Sequence, residues 1–310
     1  MPRSPLTIDR RSFIKGATAF GLAMPVAVRS QILERARFSR TDVPRATQRL
    51  LDVVNLQRNR NGLSQLEIDQ FACRVAEQHA IDMLEGEFLS HWGRDGRKPY
   101  QRYSFAGGSD ATQENVSLAH DIASVAPLAV EQDLMDMHQS MFNEVPPKDG
   151  HRQTILFPHH THVGFGIAVK EYEVRLDELY ICRYVQIGAI VRATKPGDRI
   201  TLTGRLLNLR YELVGIHNYY EPLPTRPRIE WLREPRSYGL PDTHAEYLPR
   251  LKPGYHYEDG TKGSVDINGA TFRATFSLFK DPGVNTIVVW IARSETEEPF
   301  PVTQVCIRCE

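Results

Sequence analysis

The apolar residues of this chain change their spacing near Pro158, and that change restricts the fold more than any composition figure does. Before it, apolar positions recur in three- and four-residue steps. They do so at Leu50, Leu51 and Val54 in a run that closes at Gly62, then at Leu66, Ile68, Phe71, Ala72, Val75, Ala76, Ala80 and Met83. They do so again at Leu128, Val130, Leu134, Met137 and Met141, behind a Pro127 suited to a first turn. Each run is the signature of an amphipathic helix. Between the last two, "RKPYQRYSFAGGSDATQ" carries proline, paired glycine and aspartate and reads as loop. After Pro158, "HVGFGIAVKEY" and "LYICRYVQIGAIV" alternate or run apolar and are rich in β-branched and aromatic residues, which predicts strands. Helices followed by a strand pair make the first domain α+β.

At 310 residues the chain exceeds the usual size of one domain, and "RATKPGDR" supplies a boundary near residue 195. Beyond it "RITLTGRLL", "GSVDING", "ATFRATFSLF" and "NTIVVWIAR" are short β-type segments separated by turn signals. Residues 195–310 are therefore expected to form an all-β sandwich of immunoglobulin-like type, behind a domain spanning 36–194. One stretch stands apart: "YYEPLPTRPRIEWLREPRSYGLP" combines Tyr219, Tyr220, Trp231 and Tyr238 with Arg226, Arg228, Arg233 and Arg236. Such residues dominate binding hot spots, so it is a candidate surface for attachment to a cell envelope or another protein; the alternative is a rigid proline-fixed loop.

The first 35 residues are of another kind. "DRRSFIKGATAFGLAMPVAV" sets Arg10 and Arg11 ahead of a mildly apolar run with small residues around Ala27, the layout of an export signal. It resembles the bacterial twin-arginine signal and implies export to the periplasm, the cell surface or the medium. The apolar run is too short to span a bilayer, so no transmembrane span is expected once the signal is removed. Lysine plus arginine and aspartate plus glutamate both number 38, which leaves no basic footprint for nucleic acid. Cys73 and Cys182 read as small buried residues, and Cys306 and Cys309 of "CIRC" face opposite sides of an extended strand.

Polar groups suited to a site recur where helical runs meet loops: His91 in "FLSHWGRDG", Glu114 and Asn115 in "QENV", and His151 in "DGHRQTIL". They can hold a metal, or they can hydrogen-bond one another and rivet three loops together. Asn55, Arg58, Leu66, Ala76, His79, Ala80 and His91, then "QENV", then "GHRQTIL" with "HVGFGIAV", resemble the CAP superfamily of cysteine-rich secretory, antigen 5 and pathogenesis-related 1 proteins over about residues 45–194. That resemblance implies an α-β-α sandwich and a cleft in which two histidines and two glutamates hold a divalent metal, usually zinc. His91, Glu114 and His151 fall on three of those positions, with His138 and Glu144 as candidates for the fourth. Imidazole and carboxylate suit zinc better than calcium or magnesium. His79 is expected to be a helix packing residue, and Arg102 is given no role.

Neither His-Glu-x-x-His nor Gly-x-Ser-x-Gly occurs. The leading expectation is a non-catalytic exported binding protein, with a cleft for a metal, a small ligand or a lipid and a β domain for attachment. A metal-dependent hydrolase and a purely adhesive envelope protein are the alternatives.

Overall fold

The computed structural model describes residues 37–294 and 296–310, so the arginine pair and the apolar run of the N-terminus lie outside the described residues. Helix α1 (Val43–Arg60) leads to the two-residue strand β1 (Glu67–Ile68) and helix α2 (Gln70–Glu85). Leu66 and Ile68 therefore precede α2, because Asp69 caps it by accepting the Ala72 N–H at 2.6 Å. Helix α3 (Pro99–Phe105) forms where the sequence reads as loop. Pro99 occupies its first turn and the Gln101 side-chain oxygen accepts the Lys98 backbone N–H, so local capping outweighs the nearby glycines. Strand β2 (Ala111–Ala119), helices α4 (Pro127–Phe142) and α5 (Gly150–Ile155), and strands β3 (His162–Lys170) and β4 (Glu173–Cys182) complete the first half.

Its four strands are ordered β1-β3-β4-β2, and their two-residue alternation sorts side chains between two helical layers. Val163, Phe165 and Ile167 of β3 pack with Ala46, Leu50 and Val54 of α1 and Val130 and Leu134 of α4. On the other face Leu179 and Ile181 meet Ala72, Val75 and Ala76 of α2. Gly164 and Gly166 point the same way, and a Cβ at Gly166 would lie 2.1 Å from the Ala76 carbonyl carbon. The helix can lie that close only because the strand has no side chain there.

The second half begins with β5 (Val185–Ile187), β6 (Ala193–Thr194), β7 (Arg199–Leu206) and β8 (Glu212–Glu221). After the short helix α6 (Ile229–Leu232) come β9 (His244–Tyr247), β10 (Val265–Asn268), β11 (Thr271–Ser277), β12 (Gly283–Ala292), β13 (Phe300–Pro301) and β14 (Val305–Cys309). One sheet runs β10-β11-β7-β5; the other runs β6-β14-β12-β8-β9, with β13 also on β12. Ile200, Leu202, Phe272 and Phe276 of the first face Ile216, Ile287, Val289 and Ile307 of the second in one core. The whole is an α-β-α layer followed by a β-sandwich. All four cysteines are free thiols, Cys306 packing with Tyr100 and Val284 while Cys309 enters the sandwich core.

The halves share a polar seam. Glu221 of β8 accepts from Tyr100 Oη at 2.6 Å, Lys98 Nζ at 2.7 Å and Gln101 Nε2 at 2.9 Å. Ser104 Oγ accepts from the Cys306 N–H at 2.7 Å and from Arg192 Nη1 at 2.8 Å. Phe38–Glu310 is one compact unit.

Candidate functional site

Glu114 lies in the middle of β2, not at a helix–loop edge, and its side chain is buried on the α2 face of the sheet. One carboxylate oxygen accepts from Arg102 Nη2 and the other from His91 Nδ1 at 3.0 Å. Arg102 also donates to the carbonyls of His91 (2.6 Å) and Arg97 (3.0 Å), so α3 delivers a guanidinium that holds the carboxylate and the loop after α2 together. Burial alone would raise the Glu114 carboxyl; the Arg102 charge, with the His91 hydrogen bond, outweighs it and holds the group well below the usual carboxylate range.

Two further groups close this cluster. His79 of α2 donates Nε2–H to Ser90 O at 2.8 Å, which leaves Nδ1 as a buried lone pair without a hydrogen-bond partner. Burial, then the Arg102 charge, lower its pKa to about 4, so it is a neutral imidazole. Asp177 of β4 is fully buried, and neither of its oxygens has a conventional hydrogen-bond partner. Burial, then the Glu114 charge, push it far above the carboxylate range, so it keeps its proton. One ligand atom each from His79, Glu114 and Asp177 lie within 4.8 Å of one another.

The remaining sequence candidates sit elsewhere. Asn115 follows Glu114 in the strand and so faces the α1/α4 side, where its Nδ2 donates to His151 O at 3.1 Å. His151 Nδ1 donates to Glu144 Oε1 at 2.5 Å, and its backbone N–H donates to the other oxygen. His138 is buried between Glu178 Oε1 and Gln57 Oε1, each 2.7 Å from a ring nitrogen. Thus His91 meets Glu114, His151 meets Glu144, and His138 belongs to a separate buried group. With both Glu114 oxygens engaged and a guanidinium already supplying positive charge, the arrangement as it stands does not fit a dication.

The segment between β8 and β9 seats on this cleft. Tyr238 Oη accepts the Glu114 backbone N–H at 2.8 Å, and its ring lies 4.7 Å from that of His91. Trp231 meets Trp92 edge to face at 5.2 Å, and Leu232 is buried with Met83, Phe88 and Val116. Of the aromatic and arginine residues singled out in this stretch, Trp231 and Tyr238 face the first half, while Tyr219 is buried on β8. Beside the seat is a cavity of about 800 Å³, walled by Val75, Phe105, Ile229 and Leu232. Arg94, Arg97, Arg102 and Arg226 line it against only two acids, Asp82 and Asp95.

Sequence reasoning missed Arg102, Asp177 and Tyr238 as parts of the site. "RLDELY" did carry a signal, since two adjacent acids flanked by Leu176, Leu179 and Tyr180 in a strand put one carboxyl on each face.

A family model for the cysteine-rich secretory protein (CAP) family matches residues 51–184. A Bacillus subtilis protein described as the uncharacterized membrane protein YlbC is 31% identical over 123 residues, 40% of this chain and 32% of its own length, so this chain spans only about a third of that relative. Among solved structures, an extracellular protein with an SCP domain from Bacillus anthracis is 21% identical, covering 53% of this chain and 45% of its own, with a TM-score of 0.35. An outer surface protein of Borrelia burgdorferi is 19% identical, covering 48% and 97%, with a TM-score of 0.38. No helix among the described residues is long and apolar enough to cross a membrane. Within the half that contains α1 to β4, residues 51–184 are thus a domain of the cysteine-rich secretory protein, or CAP, family.

Proposed function

We propose that the chain is an exported, non-catalytic binding protein whose ligand is a small anion with an apolar part. The cavity carries this reading: Val75, Phe105, Ile229 and Leu232 give it an apolar wall, and of its four arginines Arg94, Arg97 and Arg102 are paired with acids while Arg226 has no ion pair among the described residues. Pockets of this size suit a single small ligand, with a few charged groups fixing its orientation. Engagement of both Glu114 oxygens favours binding over general-base work, since a base needs a free lone pair toward its substrate. Decanoate is expected to displace a fluorescent anionic naphthalene probe from the protein, and Arg226→Glu to weaken decanoate at least tenfold. Equal displacement by decanol, or an unchanged Arg226→Glu variant, would refute an anionic pocket.

Docking to an envelope surface through the β-rich half belongs to the same reading.

Export rests on the N-terminal sequence. Replacing Arg10 and Arg11 by lysine is expected to keep the precursor in the cytoplasm, because the paired arginines act as an address and not as an anchor. Normal appearance of the doubly substituted protein outside the cytoplasm would rule out the twin-arginine route.

A further inference from the structure

On the outer face of the larger sheet, well outside the CAP domain, β8 and β9 bring two histidines and a glutamate together. The register pairs His217 with Glu246 and Tyr219 with His244, so all four side chains stand on one face. Glu246 Oε1 lies 3.4 Å from His244 Nε2 and 3.6 Å from His217 Nε2. Both separations exceed a normal N–H···O hydrogen bond. They match instead the edge of a tetrahedron, about 3.3 Å for ligands held roughly 2.0–2.1 Å from a zinc ion.

We propose that His217, His244 and Glu246 form a zinc site that ties β9 to β8.

His244 Nδ1–H donates to Asp242 O at 2.8 Å, which leaves its Nε2 a lone pair toward Glu246, and His217 Nδ1 lies 3.1 Å from Tyr219 Oη, a hydroxyl that can accept its proton when Nε2 binds an ion. Outer partners of this kind fix ring orientation and ligand basicity in protein zinc sites. The two rings are nearly parallel, 10° apart with centroids at 5.4 Å, so closure on an ion takes a turn of His244 about its soft χ2 torsion. His244 has room to turn, since its side chain is 35% exposed against 20% for His217. Three protein ligands leave one tetrahedral position for water or for a group from another molecule.

The location gives the ion a structural consequence. Strand β9 is the edge of its sheet and ends the segment that carries Trp231 and Tyr238 onto the CAP cleft. A cross-strand ion would fasten that edge without adding a hydrogen-bonded strand.

Titration of the untagged full chain with zinc chloride, by calorimetry and by metal analysis after dialysis, tests the proposal. One zinc equivalent is expected that is lost, or weakened at least tenfold, in His217→Ala and in His244→Ala and retained in His91→Ala and His151→Ala. Cobalt at the same site is expected to give the visible absorption of a tetrahedral ion, absent from His244→Ala. His244 is exposed, so that variant keeps the fold, and an unchanged near-ultraviolet dichroism spectrum verifies it. Wild-type zinc uptake by both His217→Ala and His244→Ala would overturn the site. So would the absence of any zinc binding at 0.1 mM, roughly the weak end of what a specific site needs. Neither result bears on the anionic cavity, which the decanoate experiment tests alone.

Discussion

Arg102→Met is expected to destabilise the protein by about 3–5 kcal/mol at neutral pH, the cost typical of removing one partner from a buried ion pair. Glu114 is 4% exposed and β2 cannot move it toward solvent, because its cross-strand neighbours on β4 are buried as well. Without the guanidinium the carboxylate must either stay charged in a low-dielectric site or take up a proton. Arg102 also ties the carbonyls of His91 and Arg97, and a methionine of similar length replaces only its packing. The double variant Arg102→Met, Glu114→Gln is expected to recover most of the loss, since it removes both charges from the same place. Urea unfolding of the wild type, both single variants and the double variant gives the coupling directly. A loss of less than about 1 kcal/mol for Arg102→Met would mean that the pair is solvated like a surface salt bridge.

The histidine and glutamate of this site were legible in sequence, but the group that neutralises them was not. His91 and Glu114 belong to short motifs whose residue types announce a polar cleft. Arg102 sits in "PYQRYSF", where a charged residue among aromatics reads as an ordinary exposed position until α3 is known to lie over β2. The separation of His151 from Glu114 follows from strand alternation, and it was hidden because "QENV" did not read as strand: its polar residues mask the two-residue period. Tyr238 was visible only as part of an aromatic and arginine-rich stretch. Which surface that stretch covers depends on the seam at Glu221 and Ser104, a tertiary arrangement with no local code. By contrast, the switch from helical to strand periodicity near Pro158 was sufficient to predict helices α1, α2 and α4 and strands β3 and β4, because burial on one helix face or alternate strand positions is itself local.

Asp177→Asn is expected to be more stable than wild type above about pH 4, by an amount that grows with pH. Asp177 holds its proton in the native protein, whereas an unfolded aspartate releases it near about 3.9. Between that value and its raised native pKa, the native state binds one more proton than the unfolded chain at this residue, so rising pH costs stability, at up to about 1.4 kcal/mol per unit. Asparagine keeps the shape and a donor but has no proton to lose. His79 works with the opposite sign: its native pKa near 4 lies below the unfolded value near 6.5, so its contribution is fully present above 6.5 and is lost as pH falls toward 4. In the wild type the two slopes oppose each other over that window, and the stability curve there is flatter than either residue alone would make it. Asp177→Asn removes one slope and exposes the other, roughly 3 kcal/mol of loss between pH 6.5 and 4. Unfolding free energies measured at intervals from pH 4 to 7 on both proteins decide the matter. Parallel curves for the two would show that Asp177 is ionised in the native state, with the Glu114 site then carrying two negative charges against one guanidinium.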